Sequence, residues 1–456
     1  MADAIAQSED VREAPGFLTP WPMICGLFVV ATTLIFLYSG ARFGDETQRE
    51  LRLIPWLPYD ARVDFGYFYA GADMTWQGEA FDLYPQPGEL TYYPGDPIFQ
   101  EFDSEYLKAR LMARGSFYNP PALAYMLSPL TTLSFRDAYW LFSGLSFTAL
   151  LGFVAVSWKA GGKIPEWPLL MLGVLSFKPA HEAIIMGHMT LFFILILTCG
   201  FLLLKADKPV LAGLVLSLLA LKPQWAVLPG LFLLIRGEWK ALATMFFAAS
   251  AIFFVPFFIT GFETLRNYIE FLRGAAKWDL TAPPHMFSWN GFLFKLQGGP
   301  AIGQFQPPAQ ELVYGLIALT AIPLLAIWWG RDYYLGVAAT VVAMLLISTH
   351  SVWYDWGLLS VAALFLVLRA ERMQRTHRVE MWVVLIALHL AAAQSMAELL
   401  FPDRHLIFWD RQAFYTLTPV AFGTLLWMAT IAIREGQMRW PFSWRPRLPL
   451  PQPARS

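Results

Sequence analysis

Hydrophobic residues gather along this chain into long runs divided by short polar breaks. The runs cover 21–40, 119–135, 137–158, 165–186, 188–204, 208–222, 224–236, 239–260, 311–330, 333–349, 352–368, 380–397 and 413–433. A helix needs roughly 20 apolar residues to cross a bilayer, and many of these runs approach that length. The pattern predicts an all-α polytopic membrane protein. Two longer polar stretches interrupt it, 41–118 after the first run and 261–310 after the eighth.

Charge gives the runs a direction, because cytoplasmic loops collect Lys and Arg. Arg369, Arg372, Arg375 and Arg378 face a single acid, Glu371, in one turn, and the C-terminal tail adds Arg434, Arg439, Arg445 and Arg447. Lys205 with Lys208, and Arg236 with Lys240, mark two further short loops. All of these are expected in the cytoplasm, which leaves 41–118, 261–310 and 398–412 outside. The first outer loop holds seven Lys/Arg against 13 Asp/Glu, a net of −6. Residues 1–20 and 436–456 then form cytoplasmic tails around a transmembrane domain, 21–435. The acidic segment before Trp21 is followed by no small-residue cleavage site, so the first run reads as a retained helix, not a signal peptide. Two cytoplasmic termini require an even number of crossings. The expectation is about 12 spans, within 11–13, with either 119–135 or 165–186 re-entrant. The former carries Pro120, Pro121 and Pro129, the latter Lys178, His181 and Glu182.

Composition sharpens this. Of 456 residues, 57% are hydrophobic and only 15% charged, against about 25% charged in a soluble chain. The net charge of −1 offers no basic excess for nucleic acid. Two cysteines, Cys25 and Cys199, both lie in apolar runs, which excludes a disulfide scaffold or a cysteine metal site. There is no G-x-x-x-x-G-K-[ST] phosphate loop, no H-E-x-x-H and no pair of aspartates two apart. ATP-driven transport and zinc proteolysis thereby lose their support.

Ionisable residues at membrane depth are costly and mark function by default. Here they are Lys178, His181, Glu182, His188, Lys222, His350, Asp355 and His389. Lys222 ends a run that begins at cytoplasmic Lys208. His350 and Asp355 lie between runs whose far ends are Arg331 and Arg369, and His188 opens a run that ends at Lys205. Separate parts of the chain therefore bring ionisable groups to one depth on the outer side. Plainer roles stand beside this: Lys222 can snorkel to the headgroups, His350 and Asp355 can cap helices, and His389 can be a packed helix residue.

The first outer loop reads RVDFGYFYAGADMTWQGEAFDLYP. After Asp64, the aromatics Tyr67, Phe68 and Trp76 interleave with small residues, as expected of an amphipathic helix at the membrane interface. Gly78 can end it. Asp64 can be a simple N-cap or a carboxylate held over the bilayer as a general base.

Four features follow one another along the chain. The first is D-x-x-x-[aromatic] with a later glycine and tyrosine, here Asp64, Phe68, Gly78 and Tyr84. The second is Tyr118-Asn119-Pro120-Pro121 entering an apolar run. The third is Lys222-Pro223 with the later turn RGEW, and the fourth is the turn HSVWYDW at 350–356. Together they resemble glycosyltransferase family 87, polytopic enzymes of the GT-C class that use polyprenyl-phosphate sugars. Phe68 stands where the family usually has tyrosine. The mid-chain Gly-Gln-x-Asn of the family stands here as Gly187-His188-Met189-Thr190, and Asp355 occupies a position where histidine is common.

The resemblance implies a GT-C-like bundle in the plasma membrane with its active site on the extracytoplasmic side. It also implies transfer of a sugar, a mannose-like hexose or a pentose, from a polyprenyl-phosphate donor to a lipid or glycan acceptor. Asp64 would be the general base. Lys222, His350, His188, Lys178 and Arg266 would bind the donor phosphate, and Tyr67, Phe68, Trp76, Tyr118, Trp353 and Asp355 the substrates. No metal and no cofactor beyond the lipid-linked donor are implied. Two other readings of the same residues are a secondary transporter or flippase, with buried Lys, His and Asp as substrate or proton sites, and a non-catalytic membrane scaffold.

Overall fold

A computed structural model of the protein describes residues 64–84, 117–278, 286–296, 310–348, 350–400 and 416–435. The expected first span at 21–40, both tails and most of the outer-loop segments 41–118 and 398–412 lie outside the described residues. The chain is helical throughout the described part, apart from an isolated antiparallel bridge between Met286 and Val352. The helices are α1 (Asp64–Trp76), α2 (Pro121–Leu127), α3 (Phe135–Gly161), α4 (Trp167–Leu175), α5 (Lys178–Ile185), α6 (Thr190–Lys205), α7 (Pro209–Ser217) and α8 (Gln224–Arg236). They continue as α9 (Trp239–Thr260), α10 (Phe262–Trp278), α11 (Trp289–Leu296), α12 (Gln310–Trp329), α13 (Tyr333–Ile347), α14 (Leu359–Arg369), α15 (Arg375–Leu400) and α16 (Leu417–Arg434). A 3₁₀ turn, Trp353–Leu358, leads into α14.

Among the described residues, six stretches are long and apolar enough to cross a membrane: Asp137–Gly161, Trp239–Thr260, Glu311–Trp329, Trp353–Arg372, Arg375–Ala393 and Leu417–Arg434. Four shorter apolar helices accompany them, Thr190–Lys205, Pro209–Leu221, Gln224–Arg236 and Tyr333–Ile347. Phe246, Phe247, Phe254, Phe258 and Ile259 of α9 are exposed, an arrangement that costs little only where lipid is the solvent. This is a membrane protein. The run 119–135 yields only the seven-residue α2 and a 3₁₀ turn. At 1.5 Å per residue α2 is roughly 10 Å long, a third of a hydrocarbon core. The run 165–186 breaks at Ser176–Phe177 into α4 and α5, because Pro179 disfavours a continuous helix through that point.

The basic residues that set the direction of the runs gather at one pole. Arg236 donates to the Gly330 carbonyl at 2.7 Å, and Arg369, fully buried, pairs with Asp332 and Glu435. Arg378 meets Glu166 at 3.3 Å, and Lys205 stands 5.5 Å over the Tyr334 ring. α6, α8 and α14 all end at this pole and begin at the other. The 16 residues of α6 separate the two poles by about 24 Å.

α1 departs from its expected setting. Gly78, at φ +83°, does end the segment. Yet Phe65, Gly66, Phe68, Ala70, Gly71, Ala72, Met74 and Thr75 are buried, so protein covers most of its circumference. It is wedged into the bundle and not laid on a surface, and only Trp76 at its end is exposed.

Candidate active site

Each charged group at the far pole is delivered by a local break in a helix. Proline 223 forces the preceding residue off helical geometry. Lys222 accordingly sits at φ −138°, ψ 82°, between the 3₁₀ end of α7 and the start of α8. Gly187 closes α5 in the left-handed region at φ +62°, a conformation in which glycine carries no steric cost. A Cβ there would lie 2.5 Å from Cβ of Phe65. The same close approach lets the Phe65 amide donate to the Met186 carbonyl at 3.0 Å, which fixes the start of α1 against the α5–α6 turn. The segment 351–355 is pinned by the Phe287 amide, which donates to the Ser351 carbonyl at 3.1 Å.

Four elements thereby converge. Lys222 Nζ lies 2.8 Å from Asp355 Oδ1, and both side chains are buried. The second oxygen of Asp355 accepts the Val352 amide at 3.1 Å. His188 Nδ1 is 3.9 Å from the same carboxylate and 2.8 Å from Thr190 Oγ1. Its ring lies 4.2 Å from that of Tyr354 and 5.9 Å from that of Phe68. Lys222 also stands 5.0 Å over the Trp225 ring, where a cation is attracted to the aromatic face. Tyr118 lies 5.4 Å from the His350 ring and 5.3 Å from Phe271 of α10, and Tyr84 is 4.8 Å from Tyr268. These rings form an aromatic wall beside the charged group.

Asp64 opens α1 at this junction. Its Oδ2 is buried and has no hydrogen-bond partner among the described residues. Burial pushes its carboxyl up to about 6. The nearby Tyr354 hydroxyl, Lys222 and His350 hold it back, and Asp355 adds to the rise. Such a carboxyl is poised to take a proton near neutral pH.

Of the residues expected from sequence, Asp64, Lys222, His188, His350, Asp355, Phe68 and Tyr118 meet here. Tyr67 and Trp353 stand beside Tyr354. Lys178 does not join them: it pairs with Glu182 within α5, both buried. Arg266 is exposed on α10 and pairs with Glu270 at 3.2 Å. Trp76 is exposed at the end of α1. His389 packs against Phe177, ring to ring at 5.6 Å. The sequence reading missed Tyr354, Thr190 and Trp225. Tyr354 carried one signal, its place between Trp353 and Asp355 in an ionisable turn.

The family model for glycosyltransferase family 87 matches residues 117–349, just over half of the chain. The chain belongs to glycosyltransferase family 87. No curated protein and no solved structure matches it. The matched stretch carries Tyr118, His188 and Lys222 of this family 87 glycosyltransferase. Asp64 and the 350–356 turn lie on either side of it and reach the site through folding alone.

Proposed function

We propose that this glycosyltransferase moves a sugar from a polyprenyl-phosphate donor to a lipid or glycan hydroxyl, at the outer face of the plasma membrane and with inversion. The domain then comprises about 12 spans, with 119–135 as the run that does not cross, and the Arg-rich pole in the cytoplasm. Asp64 is the general base. It takes the proton of the acceptor hydroxyl, whose oxygen attacks the anomeric carbon. The bond from that carbon to the phosphate oxygen breaks on the opposite face, and the polyprenyl phosphate leaves with the electron pair. One carboxylate suffices, where glycoside hydrolysis employs two.

Negative charge grows on the leaving phosphate, so cationic donors should lie on that side. Lys222 and His350 are assigned this role, with His188 behind them, and the aromatic wall at Tyr118 and Tyr84 gives the sugar an apolar face to pack on. The observation that carries the reading is Asp64 itself, a buried carboxyl raised to about 6 with an open oxygen, beside Lys222 and His350. Nucleotide sugars are not supplied outside the cell, which favours a lipid-linked donor. The test is turnover by the purified chain in detergent with a synthetic polyprenyl-phosphate mannose or pentose, against the corresponding nucleotide sugar. Activity is expected with a lipid-linked donor only. Turnover that needs only the nucleotide sugar would overturn the assignment.

A further inference from the structure

The sequence pattern assigns a helix at the membrane interface to α1, but protein covers α1; α10 has the setting that α1 lacks. α9 starts at the Arg-rich pole, just after Arg236, and its 22 residues carry the chain about 33 Å, close to the thickness of a hydrocarbon core. There Gly261 turns it, at φ +99° with open space where a Cβ would stand, and α10 begins at the membrane boundary. At 3.6 residues per turn α10 presents three sides. Thr264, Asn267, Tyr268 and Phe271 are buried against the protein, while Phe262, Ile269 and Leu272 form an exposed apolar flank. Glu263, Arg266 and Arg273 lie on a second exposed flank, where Arg266 pairs with Glu270 at 3.2 Å.

The apolar flank continues the lipid-facing strip of α9. Phe258 and Ile259 are exposed just before it, and the Phe258 and Phe262 rings meet at 5.5 Å. A strip that faces lipid along α9 and runs on into α10 has lipid as its partner there too, and a charged flank beside it suits headgroups and water. We propose that α10 is an interfacial helix seated in the leaflet at the pole of the site, and that this seat holds one wall of the site in place. Glu263 and Glu270 balance Arg266 and Arg273, so apolar burial and not attraction to anionic headgroups holds the helix down. Its buried side supplies the wall: Phe271 lies 5.3 Å from Tyr118 and Tyr268 lies 4.8 Å from Tyr84, ring to ring, and the Tyr268 hydroxyl donates to the Tyr118 carbonyl at 3.4 Å. The hold on the wall rests on the proposed packing of the sugar there; the seat itself does not.

The experiment places nitroxides one at a time on the full chain, with Cys25 and Cys199 replaced by alanine, in nanodiscs of neutral phosphatidylcholine. Spin resonance then reads collisions with oxygen and with a water-soluble nickel chelate. Labels on Phe262→Cys, Ile269→Cys and Leu272→Cys should be oxygen-rich and nickel-poor, at a depth of roughly 5–10 Å. Those on Glu263→Cys, Arg266→Cys and Arg273→Cys should show the reverse. Nickel access at all six positions would lift α10 clear of the bilayer, and shielding of the first three from both reagents would cover that flank with protein, such as a second copy of the chain. Either result overturns the seat. With synthetic polyprenyl-phosphate mannose or pentose as donor, Ile269→Glu combined with Leu272→Glu should lower kcat/KM about tenfold or more, because a small misplacement of a positioning surface is costly. Glu263→Gln combined with Arg273→Gln should leave it unchanged. The expected label pattern with kcat/KM unmoved by the first pair overturns the hold on the wall. A chain inactive with every lipid-linked donor defeats the proposed function, and the seat still stands or falls on the label pattern.

Discussion

Asp64→Asn should make the protein slower and, above pH 6, more stable. The carboxyl ordinarily titrates at 3.8 and is raised to about 6 in the fold, chiefly by burial. Between those values the folded chain binds more protons than the unfolded one. Stability from this group is therefore fully present below pH 4 and lost as pH rises through 6. At 1.36 kcal/mol per unit, the ionised carboxyl costs up to about 3 kcal/mol at pH 7.5. Solvent screening reduces this to roughly 1–2 kcal/mol, because Asp64 is only half-buried as a residue. Asn is neutral, has the same size and caps a helix about as well. Its advantage in thermal midpoint should be clear at pH 7.5 and vanish by pH 4. Turnover should fall by roughly 10²–10⁴, the contribution of a general base. Parallel thermal and kinetic pH series on the two proteins check both halves. Identical pH dependence of stability would show that the carboxyl is not held raised by burial, and unimpaired turnover would show that it is not the base.

The buried pair makes a second prediction: Lys222→Met or Asp355→Leu alone leaves one uncompensated charge and should cost about 3–5 kcal/mol, while the double variant recovers most of that stability without activity. Unfolding in mixed micelles measures the cycle, and single variants that each lose under 1 kcal/mol would refute the pairing. Gly187→Ala combines a left-handed backbone with a 2.5 Å clash on Phe65 and should cost more than the 1–2 kcal/mol of backbone strain alone. Gly78→Ala, at φ +83° in open space, should cost only the strain, and equal losses at the two sites would argue against the α1–α5 contact. For sidedness, a cysteine replacing exposed Gln77 should react with an impermeant thiol reagent in intact cells and one replacing exposed Arg375 should not. The reverse pattern would place the site in the cytoplasm.

Hydropathy by itself determined that the chain is helical and membrane-embedded, and where most helices lie, because the cost of exposing a polar backbone to lipid acts on each segment separately. Punctuation was equally local: Pro223 displaces Lys222 from its helix, and Gly78 ends α1, through sterics within a few residues. The arginine bias sorted the poles, and the structure gathers Arg236, Arg369 and Arg378 at one of them. What tertiary structure alone decided is which ionisable groups share an environment. Lys222 and Asp355 are 133 residues apart, and nothing in either neighbourhood names the other. Lys178 carries the same Lys-Pro signature as Lys222, yet it is spent on Glu182 one turn away, and Arg266 remains at the surface with Glu270. Tyr354 meets the His188 ring only through folding. The strength of a charge interaction depends on distance and on how completely water is excluded, and both are properties of packing between segments that no single segment encodes.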